Sequence, residues 1–449
     1  MKILLISANK LKSPYPVYPL GLDYVSGSVS QKHIVKIIDL NEFEDINSAG
    51  ITVKDFPADI IGISLRNVDN TDTGDLKYFL DQYRNLISSI RKNSKALIVL
   101  GGSAFTIFPS EFMQALDADY GIIGEGERFG FLADALEEKK DPLEIHGVIA
   151  KNSVAKIPQP WPESIIRKFN TNNSYINYYL NKGGMLNLQT KRGCSFKCIY
   201  CTYPHIEGSS LRLFPPGEIA KTALELEKAG AKYLFITDSA FNCSYAHSTE
   251  VANAFIKAGL SIPWGAFFAP TRPPAGYYTT LAKAGLTHTE FGTESMSDTM
   301  LRSYRKPFNT ADVFHAHKLA LDAGLHVAHY FLFGGPGENS ATLDESLANI
   351  ERLSKAVFFM FCGMRIYPHT ELYEIAKKEG QLTESMSLLE PVFYKSNAIS
   401  SEDIIKAIEA RAGGRQNWVT GSGSKKTSRL MSRMYKHGHT GPLWEHLIQ

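Results

Sequence analysis

The stretch RGCSFKCIYCTYP, residues 192–204, holds three of the chain's five cysteines: Cys194, Cys198 and Cys201. An odd, clustered set of thiols argues against a disulfide framework and for metal or redox chemistry. A structural zinc site closes with four ligands, often from two C-x2-C knuckles. No second knuckle exists here, because Cys243 and Cys362 stand alone and read as buried core thiols. Three thiolates on one tight loop suit an iron–sulfur cluster with one iron left open for a substrate.

Outward from this loop, short apolar runs alternate with helical stretches. LNLQTK (186–191) is followed by KYLFITD (232–238), PWGAFFA (263–269), THTEFGTE (287–294), HVAHYFLFGG (326–335) and FFMFCGMRIYP (358–368). Continuous apolar runs too short for helices read as buried parallel strands. Helical stretches at 216–229, 247–259, 275–284, 309–323 and 340–354 separate them. Six strands with five helices between them predict a partial (β/α)6 barrel over 186–370, and periodicity alone leaves a second flat sheet open.

Ahead of the loop, KILLIS (2–7), IVKIID (34–39), DIIGIS (59–64), ALIVLGG (96–102) and YGIIGEGE (120–127) repeat the pattern, with a crossover helix in LKYFLDQYRNLISSIRK (76–92). This predicts a doubly wound, flavodoxin-type Rossmann-like domain of five strands over 1–140, with its ligand at the C-terminal strand ends. The nucleotide fingerprint G-x-G-x-x-G is absent after the first strand. Residues 141–185 carry Pro158, Pro160, Pro162 and the polar run NTNNS (170–174), and read as linker. Residues 371–449 read as a small helical extension, with a Gly/Ser-rich loop over 412–428 and a short basic helix after it.

A chain of 449 residues implies two or three domains, and 44% apolar with 21% charged residues is ordinary for a soluble globular protein. With 48 Lys+Arg against 46 Asp+Glu, no basic surplus draws the chain to nucleic acid or an anionic membrane. The N-terminal run ILLI is too short for a signal peptide, and no window approaches a transmembrane segment, so a cytoplasmic location is expected.

The C-x3-C-x2-C loop, with Tyr200 just before its third cysteine, resembles the signature of radical S-adenosylmethionine (SAM) enzymes. That resemblance implies a [4Fe–4S] cluster on Cys194, Cys198 and Cys201 as the catalytic and metal-binding residues, with SAM chelating the open iron. Motifs at later strand ends, where barrel active sites lie, fit the same order. FITDSAFN (235–242) supplies Asp238, Ser239 and Asn242; FGTES (291–295) resembles the strand that contacts SAM and nominates Glu294 and Ser295. GGPGE (334–338) resembles the adenine-side motif through Gly334 and Gly335, and MRIYPHTEL (364–372) offers Arg365 and Tyr367 to a carboxylate. His288, His326, His329 and His369 read as packing or hydrogen-bonding groups.

The flavodoxin-like domain ahead of the barrel resembles that of cobalamin-binding radical SAM enzymes, and the resemblance runs from the first strand to GPLWE (441–445). It implies cobalamin contacts in YPVYPLGLDYVSGSV (15–29), with Pro19, Leu20 and Gly21, and in SLRNVDNTDT (64–73). LGGSAF (100–105) adds Gly101, Gly102 and Ser103, and GIIGEGE (121–127) adds Gly124, Glu125 and Gly126. Glycines there leave room for a bulky tail, and turn amides can bond corrin amides or phosphate. The D-x-H-x-x-G sequence that gives many cobalamin proteins a histidine ligand is missing, since ANKLKSPYP follows KILLIS. The lower face of the cobalt is therefore expected to meet the loop Leu65, Arg66, Asn67.

The resemblance implies a C-methyltransferase that takes methyl from methylcobalamin and places it on an unactivated carbon through a 5′-deoxyadenosyl radical. IEG (206–208), DSAFN and CGMRIYP also resemble the anaerobic-cyclase and lipid-biosynthesis branches, which leaves open a cyclase or rearrangement without net methyl transfer. A non-catalytic cobalamin or iron–sulfur sensor is a third reading. Expected partners are a small-molecule, lipid, tetrapyrrole or peptide substrate and a low-potential donor such as flavodoxin or ferredoxin, with no nucleic acid. Tyr175, Tyr178, Tyr179, Phe267, Phe268, Tyr330 and Phe331 read mainly as core, with a pocket lining as the alternative.

Overall fold

The computed structural model describes all residues except 13–14, 46–51, 154–155, 157, 159–160, 162–166, 422, 424 and 449, and gives no side chains for 425–428. Pro160 and Pro162 of the expected linker, and part of the 412–428 loop, lie outside the described residues.

The first sheet is built from β1 (Lys2–Ser7), β2 (Ile34–Asp39), β3 (Ile60–Ser64), β4 (Leu97–Gly101), β5 (Tyr120–Ile122) and β6 (Val148–Ala150) in the order β2-β1-β3-β4-β5-β6. The first five are parallel, and β6 pairs antiparallel with β5. Ile3, Leu4, Leu5 and Ile6 are all buried because the sheet is covered on both faces. The helix Leu80–Asn93 lays Tyr83, Leu86, Ile87 and Ile90 on one face. The sixth strand comes from the segment expected to be linker: its three-residue run VIA is too short to stand out by periodicity, and only the edge of β5 makes it a strand.

The second sheet comprises β7 (Met185–Leu188), β8 (Tyr233–Ile236), β9 (Trp264–Phe268), β10 (Leu286–Glu294), β11 (His326–Phe333), β12 (Ala356–Cys362) and β13 (Trp418–Thr420). They pair in parallel in the order β13-β12-β11-β10-β9-β8-β7. The six expected barrel strands are present, and β13 adds a seventh from the stretch read as a Gly/Ser-rich loop. Arg365 and its neighbour Met364 leave the barrel to pair antiparallel with Phe393–Tyr394.

The main core lies between the barrel strands and their helices, from Leu186 through Trp264, Phe291 and Phe331 to Phe358. The C-terminal segment closes the barrel floor: Trp444 Nε1 donates to buried Glu290 at 3.0 Å, and Gly441 N donates to Gly183 O at 2.9 Å. Among the described residues no helix is long and apolar enough to cross a membrane.

Candidate active site

The cysteine loop starts where the short strand Lys191–Arg192 ends and stops at the helix Tyr203–Glu207. Gly193 takes φ +85°, which a side chain would strain, and an added Cβ would meet Ser210 O. The loop is pinned to the barrel: Cys194 N donates to Gly208 O at 3.1 Å, Ile199 N to Tyr304 O at 3.3 Å, and Leu372 N to Ile199 O at 2.9 Å. All three thiols are free, and burial pushes Cys198 up and Cys201 up to about 12, each further raised by its cysteine neighbours. Such thiols stay protonated until a metal takes them as thiolates. Three convergent thiols with no fourth thiol on the loop fit a cluster with one open iron.

Cys243 packs at the edge of the core, as expected, and also lies against Cys194, whose thiol its hydrogen bond draws down to about 6. Cys362 does belong to the core, with Sγ 3.8 Å from Ser401 O.

Glu294 sits at the end of β10 with φ +64°, where the strand register shifts. Non-glycine residues held in this region mark strain that surrounding structure must maintain, and such strain concentrates at working sites. Its carboxylate lies 3.4 Å from Lys306 Nζ, which also donates to Tyr200 Oη at 3.2 Å. Lys306 is 8% exposed; burial opposes its charge, yet Glu294 and Cys198 hold it above its usual range. Lys306 escaped the sequence reading because nothing local marks it; it follows Glu294 by twelve residues and returns only through the turn after the helix Asp298–Ser303.

Other expected SAM contacts have different work. Asp238 accepts from Thr190 N at 2.9 Å and Thr190 Oγ1 at 2.5 Å, and Ser239 donates to Gly193 O at 3.3 Å, so both brace the base of the cysteine loop. Asn242 bonds Ala269 through both side-chain atoms. Ser295 turns to Ser346 at 3.0 Å, away from Glu294's partner. Gly334 N donates to Glu338 Oε2 at 2.6 Å, and Gly335 is glycine because the Tyr304 ring fills the space of a Cβ. Arg365 is corrected outright: its guanidinium pairs with buried Asp69 at 2.9 Å and donates to Leu388 O and Ile366 O, leaving no fork for SAM. Tyr367 lies under that guanidinium.

Between the two domains lies a cavity of about 490 Å³. The C-terminal ends of the first sheet line it through Ser7, Ser64 and Gly101, as the strand order around β1 and β3 requires. Pro19, Leu20, Gly21, Arg66, Asn67, Gly102, Ser103, Gly124, Glu125 and Gly126 also line it. Leu65 does not: it is fully buried, and its carbonyl accepts from Ala104 N. From the barrel side come Arg192, Thr202, Tyr203 and Glu207, which flank the cysteine loop.

The cavity fits a corrin. A Cβ on Gly21 would meet no atom within 4 Å, and on Gly101 or Gly124 only contacts of 3.7 Å or more, so these glycines leave usable space. Asn67 Oδ1 is buried without a partner. Arg66 is exposed toward the cavity, yet burial lowers its pKa, with Tyr203, Tyr179, Tyr15 and Tyr83 opposing that shift. Among the described residues its guanidinium has no ion pair. Glu125 contributes its turn to the wall, but its carboxylate is committed to Arg192, Arg212 and Trp161 N, an arrangement invisible in the sequence because the partners lie 36 to 87 positions away.

The four histidines pack as expected: His288 near Tyr233 and Glu445, His326 on His288, His329 between Thr293 and His317, and His369 stacked on His205. Tyr175, Tyr179, Phe268 and Phe331 are core, whereas Phe267 and Tyr330 are half-buried on the barrel interior.

A family model for the Radical SAM superfamily matches residues 188–350, and one for the B12 binding domain matches residues 6–129. The chain is 26% identical over 429 residues to an uncharacterized methyltransferase of Pyrococcus horikoshii, covering 91% of each chain. It is 22% identical to the tryptophan 2-C-methyltransferase of Streptomyces laurentii, over 82% of this chain and 73% of that one. Its fold matches the radical SAM methyltransferase TsrM of Kitasatospora setae, solved with tryptophan and a SAM analogue, at a TM-score of 0.86 and 20% identity, covering 99% and 97% of the two chains. The cobalamin-dependent radical SAM enzyme OxsB follows at 0.72 and 16%, covering 97% and 71%. The cofactors are therefore the [4Fe–4S] cluster, SAM and cobalamin. The chain carries a radical SAM domain behind a B12-binding domain, the arrangement of the cobalamin-dependent radical SAM methyltransferases it resembles.

Proposed function

We propose that the chain places a methyl group on an unactivated carbon of a small-molecule substrate. The observation that carries this reading is the shared cavity: loops of the cobalamin domain and residues flanking the cysteine loop face one space. When bound, the cluster with SAM supplies a carbon radical and cobalamin supplies the methyl group. The chain's own residues hold these groups in reach and keep water out. Cys194, Cys198 and Cys201 hold the cluster, and Lys306 with Glu294 presents a charged pair beside it for the amino-acid end of SAM. Arg66 would present a cation to a bound corrin, and among the described residues no histidine lines the cavity to supply a ligating nitrogen.

Relatives of this fold include a tryptophan C-methyltransferase, and the half-buried Phe267 and Tyr330 give the barrel interior flat walls for a substrate. A low-potential flavodoxin or ferredoxin completes the reading as electron donor. The test is anaerobic turnover of reconstituted protein with SAM, reductant and host extracts. Methylated product matched by S-adenosylhomocysteine and 5′-deoxyadenosine supports it; 5′-deoxyadenosine without S-adenosylhomocysteine selects the cyclase reading. For Arg66, nitrogen hyperfine splitting in the electron paramagnetic resonance of bound cob(II)alamin would refute its place.

A further inference from the structure

The strand that enters the cysteine loop is tied to the wall of the cobalamin cavity. Arg192, two residues before Cys194, is 7% exposed and pairs with Glu125 Oε1 at 2.8 Å and Glu127 Oε1 at 2.6 Å. Its guanidinium also lies over the Tyr24 ring, 4.9 Å from the centroid. Glu125 further holds Arg212 at 2.5 Å, and Arg212 sits on the short strand paired with Lys191–Arg192.

The loop's exit is tied to the same wall. His205, on the helix that follows Cys201, lies with Nε2 3.2 Å from Thr106 O, and Thr106 Oγ1 accepts from Gly124 N at 2.9 Å. Glu207, on that helix, accepts from Gly193 N at 3.1 Å and so joins the two ends of the loop. The turn 124–127 therefore lines the cavity on one side and anchors both ends of the cysteine loop on the other.

Between Gly193 and Cys201 the loop has no helix or strand of its own; Ile199 pins its middle to Tyr304 and Leu372, and the order of the rest depends on those ends. Without Glu125, Arg192 keeps only Glu127 and Arg212 loses its carboxylate, and weakening a buried charge network in this way is unfavourable. A ligand that orders the wall spares the second ligand part of the ordering cost.

We propose that Glu125 is a positioning residue that couples cobalamin binding to order in the cysteine loop, so that cobalamin and cluster bind with positive cooperativity. This rests on the reading that the cavity takes cobalamin. Linkage requires the effect to be reciprocal: cobalamin must tighten cluster retention by the factor by which the cluster tightens cobalamin.

The test titrates hydroxocobalamin anaerobically into the full chain, once with the cluster and once after chelator has removed it. Wild type is expected to bind about fivefold or more tightly with the cluster present, and bound hydroxocobalamin should slow iron loss to chelator. In Glu125→Gln the ratio should fall toward one. Equal affinity in the two wild-type forms, or an unchanged ratio in Glu125→Gln, overturns the proposal. If Glu125→Gln does not fold, Arg192→Lys decides, because it keeps the charge and loses the fork; an unchanged ratio there also overturns it. Failure of the underlying reading looks different, with no saturable hydroxocobalamin binding by either form.

Discussion

Glu338 illustrates how a single buried group sets a pH response. It is 1% exposed, and burial pushes its carboxyl up to about 7 despite the bond from Gly334 N. Its folded pKa lies above its unfolded value, so the folded state holds the extra proton between about pH 4.5 and 7. Stability from this group is present at low pH and is lost as pH rises through that window, by about 3 kcal/mol at most. Glu338→Gln mimics the protonated form, so its melting temperature should gain on wild type from pH 5 to about 7 and level off above that; a constant offset would refute the assignment. Gly193 gives a second residue-scale prediction. Gly193→Ala forces strain at φ +85° and a clash with Ser210, so iron bound per chain after reconstitution should drop markedly while the far-ultraviolet circular dichroism stays unchanged.

At the scale of elements, the pairing of Met364–Arg365 with Phe393–Tyr394 carries an arginine out of the barrel and into the first domain. Arg365 and Asp69 are 3% and 0% exposed in their side chains. Arg365→Met leaves a carboxylate buried alone and should cost about 3–5 kcal/mol in denaturant unfolding. Adding Asp69→Asn should recover much of the loss, since the uncompensated charge is then gone; a double variant as unstable as the single would show that the arginine's carbonyl contacts matter more. The C-terminal segment acts similarly on the barrel floor. Trp444→Phe removes the donor to Glu290 Oε1, and the unpaired buried oxygen should cost about 1–3 kcal/mol.

The whole molecule is held as one unit by polar contacts across the domain boundary. Tyr179 Oη donates to Asp39 at 2.5 Å, Arg167 pairs with Asp23 at 2.9 Å, and Thr73 Oγ1 donates to Cys362 O at 2.7 Å. These lie at widely separated parts of the interface, in addition to Glu125 with Arg192 and Asp69 with Arg365. Calorimetry of the full chain should therefore show one unfolding transition, moved upward by cobalamin through mass action; two transitions separated by more than a few degrees would refute a single cooperative unit.

The strands of both sheets were legible because buried parallel strands are continuous apolar runs, as KILLIS and KYLFITD show. The cysteine loop was legible because its ligands lie within eight residues, where spacing alone constrains chemistry. What escaped was whatever depends on a distant partner. The strands β6 and β13 exist only because a neighbouring edge offers them hydrogen bonds. Arg365 looked like a SAM contact until its fork was found on Asp69, 296 positions away. Lys306 and Arg192 carried no local mark in the sequence, and their side chains are buried beside distant carboxylates. The sequence by itself determined the run of strands and helices and a three-thiolate cluster site, because local periodicity and close ligand spacing survive in one dimension, while SAM and cobalamin were implied by the resemblance of its motifs to a known family. The tertiary structure alone decided which charges serve the site and which clamp the domains, because a charged side chain's role is set by its partner, and those partners are far away along the chain.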